Sequence, residues 1–415
     1  MKPAKLPAPV RAFNWGGRQL RRAGIPLARL DERSLLDAAR KRTGFDDFGG
    51  ETFKVGLGKL IESWEKEARL STLGRFIART DTVDLLASRL QIVHAFKEHP
   101  EIAMGKVARP IVIIGMPRTG TSILHELMAQ GPNLRTPLSW EVARPIPPPE
   151  KETYETDPRI AEVDKKLAQT DRILPHFKKM HPMGARLPQE CVAITSHEFA
   201  SMLFPTFYHM PGYTRWLHNE ANMAPAYAFH RRMLQLLQWH CPGERWVLKS
   251  PGHLWSLEAL MAEYPDACLI QTHRDPIKIL ASLVSLVSTL QLMTSRFTDP
   301  LEAAREWSEH IAVALDRSVT AREKGVIPGD QVIDVQFDTF MADPFAAIRE
   351  IYDRFGLRYT PEAESRMRRF LAANPDDKHG KHTYRFADTG LDLVEERRKV
   401  QRYQEFFGVR SEVKL

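Results

Sequence analysis

The sequence predicts an α/β fold in which a central parallel sheet is flanked by helices. Four short apolar runs are typical of buried strands, and a helical pattern follows each of them. These runs cover residues 111–115, 246–248, 267–272 and 332–337. Strand followed by helix, repeated along the chain, favours parallel strands joined by crossover connections. The chain has 415 residues and is 43% hydrophobic, so it can bury a large core.

Helical patterns surround this predicted sheet. Before residue 105, apolar residues recur at three- and four-residue spacing in 33–40, 53–68 and 82–97. The pattern of residues 150–240 also predicts mainly helices, so we expect a helical insertion after the proline-rich segment 145–149. The predicted organisation is an N-terminal helical region (1–105), an α/β domain (106–391) and a C-terminal helical tail (392–415).

The segment 115–122, Gly-Met-Pro-Arg-Thr-Gly-Thr-Ser, links the first strand to a helix and predicts an anion site. Such a turn points backbone N–H groups at one spot, at the positive end of the helix dipole. Gly120 allows close backbone approach. Thr119, Thr121 and Ser122 add hydroxyl donors, and Arg118 adds a charged donor. We expect this loop to bind a phosphate group.

The loop differs from that of NTPases, which place Gly-Lys-Ser/Thr at its end, with the lysine on the terminal phosphates and the hydroxyl on magnesium. Here the basic residue Arg118 comes two positions before Gly120, and Gly-Thr-Ser replaces Gly-Lys-Ser. A kinase or NTPase is therefore disfavoured. Asp275 and Asp334, close to strand ends, keep it as an alternative.

Two further basic residues follow predicted strands. Lys249 ends the second run, and Arg274 comes just after the third. Ligands of parallel sheets bind at the carboxyl ends of the strands, so we expect Arg118, Lys249 and Arg274 at one edge. Arg274 can hold a phosphate through two hydrogen bonds. Ser282 lies eight residues later, just over two helical turns, and could face the same side.

In combination, these motifs resemble those of sulfotransferases that use the sulfuryl donor PAPS. The loop resembles their 5′-phosphosulfate loop, and Arg274 with Ser282 resembles their 3′-phosphate motif. Residues 336–357 resemble a later segment of the superfamily. Residues 379–391, which include Lys381, resemble the C-terminal element of the bacterial branch. The resemblance covers about 110–391. It implies a P-loop NTPase-like sheet, PAPS as donor, PAP as product, Lys381 among the donor-binding residues and no metal.

The resemblance also implies roles for the basic residues. Arg118 and the backbone of residues 119–122 would hold the 5′-phosphosulfate end of the donor. Lys249, in a Lys-Ser-Pro that matches the Lys-x-Pro of the tyrosylprotein-type branch, would stabilise the bridging oxygen and the leaving phosphate. Because in-line transfer of a sulfuryl group spreads negative charge, we expect catalysis to depend on positioning and charge stabilisation.

Two residues compete for the role of general base. Glu141, which we favour, stands 23 residues after Arg118, about the distance of the catalytic glutamate in tyrosylprotein-type and some bacterial sulfotransferases. Screening by Trp140 would raise its pKa into a useful range. His253 stands four residues after Lys249, whereas the catalytic histidine of cytosolic sulfotransferases follows at two. The alternative for His253 is packing at a helix start.

Composition limits the partners. The formal net charge is +7, but 59 basic and 52 acidic residues are interspersed, which disfavours nucleic acid. Cys191, Cys241 and Cys268 are widely spaced and offer neither a disulfide framework nor a paired metal site. With no apolar leader and no stretch that reaches membrane-spanning length, we expect a cytoplasmic location. Arginines among aromatic residues in 10–29 leave peripheral membrane contact open, and a homodimer is also open.

We expect the acceptor to be a small molecule with a hydroxyl group. Met and aromatic residues in 199–213 favour a hydrophobic or amphipathic alcohol over a polysaccharide; the alternative is that they form ordinary core. A scaffold that binds PAP or another nucleotide without catalysis is a further alternative. The presence of Glu141, His253 and Lys249 argues against it.

Overall fold

The computed structural model describes residues 6–25, 27–173, 183–375 and 385–414. Within them, five strands form one sheet in which all neighbouring pairs are parallel. The strands are β1 Ile111–Ile114, β2 Leu134–Arg135, β3 Arg245–Lys249, β4 Cys268–His273 and β5 Val332–Gln336. Their order is β2-β3-β1-β4-β5. The predicted α/β fold is confirmed. The two-residue edge strand β2 was not predicted.

Helices cover both sides of this sheet. In chain order, the α-helices of the described residues are α1 Ala8–Arg22, α2 Glu32–Thr43, α3 Phe53–Lys66, α4 Thr72–Glu98, α5 Thr121–Met128, α6 Ser139–Ala143, α7 Pro158–Ile173, α8 Cys191–Thr195, α9 Leu203–Phe207, α10 Pro211–Asn219, α11 Ala224–Gln238, α12 Leu257–Glu263, α13 Pro276–Thr294, α14 Pro300–Glu323, α15 Phe337–Ala342, α16 Pro344–Arg354, α17 Pro361–Ala373 and α18 Leu393–Phe407. The three helices predicted before residue 105 are present as α2, α3 and α4. The last of them begins ten residues earlier than its apolar spacing indicated.

Strand β1 lies at the centre of the sheet, between β3 and β4. Val112 is in register with Leu248 on one side and with Leu269 on the other. All four residues of β1 are buried, as expected for a strand covered on both faces. Its carboxyl end, where the predicted anion loop begins, is therefore held between two neighbouring strand ends.

Helix α13 starts directly behind β4 and runs through the core. It has 19 residues and is long and apolar enough to cross a membrane, so the expectation that no stretch reaches that length was wrong. However, 72% of its apolar window is buried inside the protein. It contacts α4, α9 and α14. Packing on several sides explains why this helix is apolar around most of its circumference.

The N-terminal helices share the core of the sheet. One cluster of buried side chains joins Leu35, Leu57 and Leu90 to Val112 and Leu248. Burial of these helices therefore contributes to the same core that positions the strand ends. The division of the chain at residues 105 and 391 stays a prediction.

Candidate active site

Two glycines shape the loop between β1 and α5. Gly115 has a φ of +144°, and a side chain there would place its Cβ 2.2 Å from Oγ1 of Thr272. Gly120 has a φ of +89°, and its Cβ would lie 3.2 Å from the Phe340 ring. Both positions have a backbone conformation that residues with a side chain rarely adopt. At both, a Cβ atom would also come close to a neighbouring side chain. Glycine at these two positions lets the loop pack closely against β4 and α15.

The Thr119 hydroxyl fixes the loop to the sheet. It is buried and donates to the carbonyl oxygen of Met116 at 2.7 Å, and it lies 2.6 Å from the Thr272 hydroxyl. The neighbouring Arg118 is exposed and has a φ of +71°, a left-handed conformation that costs a non-glycine residue about 1–2 kcal/mol. The Thr119 side chain thus shapes the loop, and a strained backbone presents Arg118 to solvent.

The N-terminus of α5 faces the loop. Gly120 is its N-cap, and no described side chain caps the first turn. The backbone N–H groups of such a turn have no partner within the helix, so they can bind an anion. Thr121 is buried and Ser122 is half-buried at this turn.

Lys249 reaches this helix start from the neighbouring strand. It ends β3 in register with Ile113 of β1, and its side chain is 3% exposed. Its ammonium group lies 3.4 Å from the Ser122 hydroxyl and forms an ion pair with the carboxylate of Glu190. A lysine charge and a carboxylate therefore stand side by side next to the anion loop.

Glu190 was missed by the sequence analysis. It is the N-cap residue of α8, and its side chain is 22% exposed. The chain before it is anchored beside α6, where the Gln189 N–H donates to the Pro137 carbonyl at 2.7 Å. Glu190 lies 59 residues before Lys249, so no local spacing could have linked the two. The only signal was a carboxylate directly before a short helix.

Arg274 leaves the end of β4 and also reaches the loop. One of its terminal nitrogens donates to the Arg118 carbonyl oxygen at 2.9 Å, and the guanidinium lies 3.8 Å from the centre of the Phe337 ring. The rest of the guanidinium pairs with Glu412 at 2.6 and 2.9 Å. The structure thus brings Arg118, Lys249 and Arg274 together at the carboxyl edge of the sheet.

The other residues predicted to bind the donor have different positions. Ser282 is buried about two turns into α13, on the helix that Arg274 precedes. Lys381 lies in 376–384, outside the described residues. Its role stays a prediction.

Glu141 belongs to a separate buried cluster. It is fully buried at the start of α6, where it pairs with Arg135 and accepts a 2.8 Å hydrogen bond from the Leu138 N–H. Burial raises the pKa of Glu141, and Arg135 opposes that rise. The Arg135 guanidinium itself lies 4.6 Å from the Trp246 ring centre. None of the described contacts of Glu141 involves the loop, Lys249 or Arg274.

His253 is buried at the turn after β3. Its Nδ1 lies 2.8 Å from the Tyr227 hydroxyl, and its Nε2 has no hydrogen-bond partner within the described structure. Burial, with a smaller effect from His230, lowers the pKa of His253 to about 3. An imidazole with this pKa is neutral at pH 7 and a weak base.

The residues of 199–213 that suggested an acceptor site are mostly core. Phe199, Phe204, Met210 and Tyr213 are all buried in the main hydrophobic cluster. This agrees with the alternative that most of these side chains pack in the interior.

A family model described as "Sulfotransferase family" matches residues 110–361. The chain belongs to the sulfotransferase family. The match begins just before β1 and includes the loop, Lys249, Arg274 and Phe337, so the resemblance inferred from the motifs is confirmed.

Two solved sulfotransferases resemble this one over nearly the whole chain. STF1 from Mycobacterium tuberculosis H37Rv is 32% identical, with a TM-score of 0.78 over 91% of this chain and 98% of its own. STF9 from Mycobacterium avium is 31% identical, with a TM-score of 0.84 over 93% and 99%. A more distant relative is omega-hydroxy-beta-dihydromenaquinone-9 sulfotransferase Stf3 of Mycobacterium tuberculosis (strain CDC 1551 / Oshkosh). It is 23% identical over 278 residues, 65% of this chain and 68% of Stf3.

Proposed function

We propose that this sulfotransferase transfers the sulfuryl group of PAPS to a hydroxyl group of a hydrophobic or amphipathic small molecule, without a metal, and releases PAP. The observation that supports this most strongly is the meeting of Arg118, Lys249 and Arg274 around one loop. Three cationic side chains beside a helix N-terminus are suited to a ligand with several anionic groups.

The loop and Arg274 fit the two ends of such a donor. The first turn of α5, with the glycines that leave room above it, would hold the 5′-phosphosulfate end together with Arg118. Arg274, whose guanidinium carbon lies 3.8 Å from the Phe337 ring centre, would hold the 3′-phosphate with the N–H donors that pair with Glu412 in this structure. PAPS would thus be held at both ends by residues from two strand ends.

The chemistry requires two things of the protein. The acceptor oxygen bonds to sulfur while the bond from sulfur to the bridging oxygen breaks, so negative charge develops on PAP. The proton of the acceptor hydroxyl must pass to a base. Lys249, buried beside Ser122, would stabilise the charge on the leaving phosphate.

Glu190 is the carboxylate that we propose as the base. It contacts Lys249 and would therefore lie beside the leaving group. Glu141 is committed to Arg135 in its own buried cluster, and His253 is a weak base. Glu141 and His253 remain the competing candidates until all three have been replaced.

The acceptor class is supported by a relative. Stf3 is named for a hydroxylated menaquinone derivative, and a menaquinone is a hydrophobic quinone lipid. The identity of 23% limits this support to the class of acceptor, a hydroxyl group on an apolar molecule.

Calorimetric titration tests the proposal. We expect PAP to bind with a Kd that is unchanged by EDTA, and ATP with magnesium to bind weakly or not at all. Magnesium-dependent ATP binding without PAP binding would instead indicate a kinase or ATPase. PAP binding without sulfuryl transfer to any of a panel of lipid and aromatic alcohols would favour the scaffold.

A further inference from the structure

Helix α1 carries apolar side chains that the protein does not cover. Val10, Phe13, Gly17 and Leu20 follow one another at three- and four-residue spacing, which puts them on one face. Within this helix only Gly17 is buried. Phe13 is 47% exposed and Leu20 is 43% exposed. Two of the four residues on this face, Phe13 and Leu20, therefore lie at the surface.

The helix is nevertheless firmly placed. A Cβ on Gly17 would lie 2.3 Å from Cγ2 of Thr72, so α1 packs closely on the start of α4. Asn14 accepts a hydrogen bond from the Leu73 N–H at 2.8 Å. Phe13 and Leu20 are thus presented in a fixed orientation.

Neighbouring residues extend the apolar surface. Trp15, two residues after Phe13 and therefore on nearly the opposite side of α1, is 60% exposed, and Ile25 and Leu27 behind the helix are also exposed. The half-exposed Phe76 of α4 has its ring centre 5.7 Å from that of Phe13. We call these exposed residues, together with Phe13 and Leu20, the N-terminal apolar patch. Patches of this kind on one side of a protein mark interaction sites.

The same part of the chain is strongly basic. Residues 1–30 contain seven Lys and Arg and no Asp or Glu. Over the whole chain the two signs are nearly balanced, at 59 and 52. The excess of positive charge is therefore concentrated where the apolar patch lies.

A cavity of about 840 Å³ opens beside α1. Its lining arginines come from α1, the following turn, α4 and the end of α13, and they are Arg11, Arg18, Arg21, Arg29, Arg75 and Arg296. Two carboxylates line it as well. Glu65 is shared by Arg75 at 2.6 Å and Arg21 at 3.6 Å, and Asp31 caps α2. Positive charge thus exceeds negative charge by about four in the cavity wall, which also contains Leu6, Ile61 and Leu292.

We propose that this N-terminal face, formed by the N-terminal apolar patch and the arginine-lined cavity, docks the protein on an anionic lipid bilayer. Aromatic and aliphatic side chains enter the interface between headgroups and acyl chains, as in interfacial helices. The arginines bind the phosphates of the headgroups, one of which enters the cavity. A bilayer matches both features at once, because it offers anionic phosphates directly beside apolar chains. The proposal does not depend on the donor or the acceptor of the reaction.

Vesicle co-sedimentation of the full-length protein tests this. We expect binding to vesicles of phosphatidylcholine with phosphatidylglycerol, much weaker binding to phosphatidylcholine alone, and loss of binding as salt is raised. Phe13→Ser with Trp15→Ser should weaken binding about tenfold or more. The matched control is Met104→Ser with Val394→Ser, two exposed apolar residues elsewhere. Helix α1 packs on the start of α4, and Met104 lies beyond the other end of α4, about 40 Å from α1.

A second pair of variants tests the charges. Arg18→Gln with Arg22→Gln should weaken binding to the anionic vesicles about thirtyfold, which converts to ~1 kcal/mol for each arginine. Arg369→Gln with Arg398→Gln, exposed on α17 and α18, should leave binding unchanged. All four side chains are exposed, so folding should survive, and thermal unfolding checks this.

Several results would overturn the proposal. These are equal binding to both kinds of vesicle, no binding to either, and equal effects of the α1 variants and their controls. A dimer in sedimentation analysis that Phe13→Ser with Trp15→Ser converts to a monomer would assign the face to a second copy of the chain. Binding of a soluble short-chain phosphatidylglycerol without binding to vesicles would assign the cavity to a single amphiphile instead of a membrane.

Discussion

The guanidinium of Arg274 is held by the carboxylate of Glu412 through two hydrogen bonds of 2.6 and 2.9 Å. Glu412 lies in the segment after α18, and the N–H groups of Glu412 and Val413 donate to the Asp275 carboxylate at 2.6 and 3.0 Å. A carboxylate offers a guanidinium two acceptor oxygens, as a phosphate does. Glu412 therefore occupies the donors of Arg274 that we assign to the 3′-phosphate of PAPS.

Replacing Glu412 tests this competition. We expect Glu412→Gln to tighten PAP binding about tenfold, because the phosphate no longer has to displace a charged partner from Arg274. Calorimetry with PAP measures the change. Glu405→Gln, an exposed residue of α18, is the matched control and should leave the Kd unchanged. Weaker binding by Glu412→Gln would show that Glu412 orients Arg274 for the donor and does not compete with it.

Replacing Arg274 tests its assignment to the 3′-phosphate. Arg274→Ala should weaken PAP binding by about 1.5–3 kcal/mol, the value of hydrogen bonds to a charged group. Binding of adenosine 5′-phosphosulfate, which has no 3′-phosphate, should change little. Calorimetry with both ligands separates the two ends of the donor. An equal loss for both would move Arg274 to the 5′ end or to a general structural role.

Replacing Glu190 tests the base. We expect Glu190→Gln to lower the turnover number about 10²–10⁴-fold, the usual contribution of general base catalysis. PAP affinity should not fall, because the phosphate then meets Lys249 without a competing carboxylate and glutamine keeps the shape of the side chain. Single-turnover transfer from PAPS, once an acceptor is known, gives the rate, and calorimetry gives the affinity. Undiminished turnover would return the role to Glu141, His253 or water.

Glu141→Gln should behave differently from Glu190→Gln. It removes the charge that compensates the buried Arg135, and breaking such a pair costs about 3–5 kcal/mol of unfolding free energy. We expect a lower urea midpoint, with turnover retained by the protein that stays folded. Lost turnover in a protein of unchanged stability would establish Glu141 as the base that its position in the sequence suggested.

Buried histidines should make the fold sensitive to acid. Burial lowers the pKa of His230 to about 3, whereas the unfolded chain has its usual histidine pKa near 6.5. Below pH 6.5 the unfolded state therefore binds a proton that the folded state does not. The unfolding free energy then falls by about 1.4 kcal/mol per pH unit for this group until pH 3.

The variant His230→Gln tests this contribution. The unfolding free energy of this variant, measured by urea denaturation between pH 7 and pH 4, should fall less steeply as the pH is lowered than that of the unaltered protein. The difference between the two slopes should correspond to the uptake of about one proton on unfolding. His99→Gln, the same change at an exposed histidine, is the matched control. Identical slopes for both variants and the unaltered protein would mean that His230 does not set the pH dependence.

The sequence was informative where function depends on short local patterns. The apolar run before Gly115 and the hydroxyl-rich turn after Arg118 predicted a strand, a loop and a helix, because each of these depends on neighbouring residues. The basic residues at the ends of β3 and β4 could be placed beside that loop because parallel strands share one carboxyl edge.

The rest depended on contacts between distant parts of the chain. The pairing of Lys249 with Glu190, and that of Arg274 with Glu412, spans 59 and 138 residues, and no spacing rule connects such positions. Glu141 illustrates the reverse case. Its distance from Arg118 suggested a site residue, but only the fold shows that Arg135 holds it in a separate cluster.

Helix α13 connects the end of β4 to the N-terminal face. It begins next to Arg274, and its last turn leads to Arg296 in the wall of the cavity. Nineteen residues make it about 28 Å long, close to the hydrocarbon thickness of a bilayer. On a protein seated at a membrane by α1, the cavity wall and Arg274 would therefore be about one helix length apart. A separation of this length suits a long, flexible acceptor whose hydroxyl end reaches the donor while its tail stays in the bilayer.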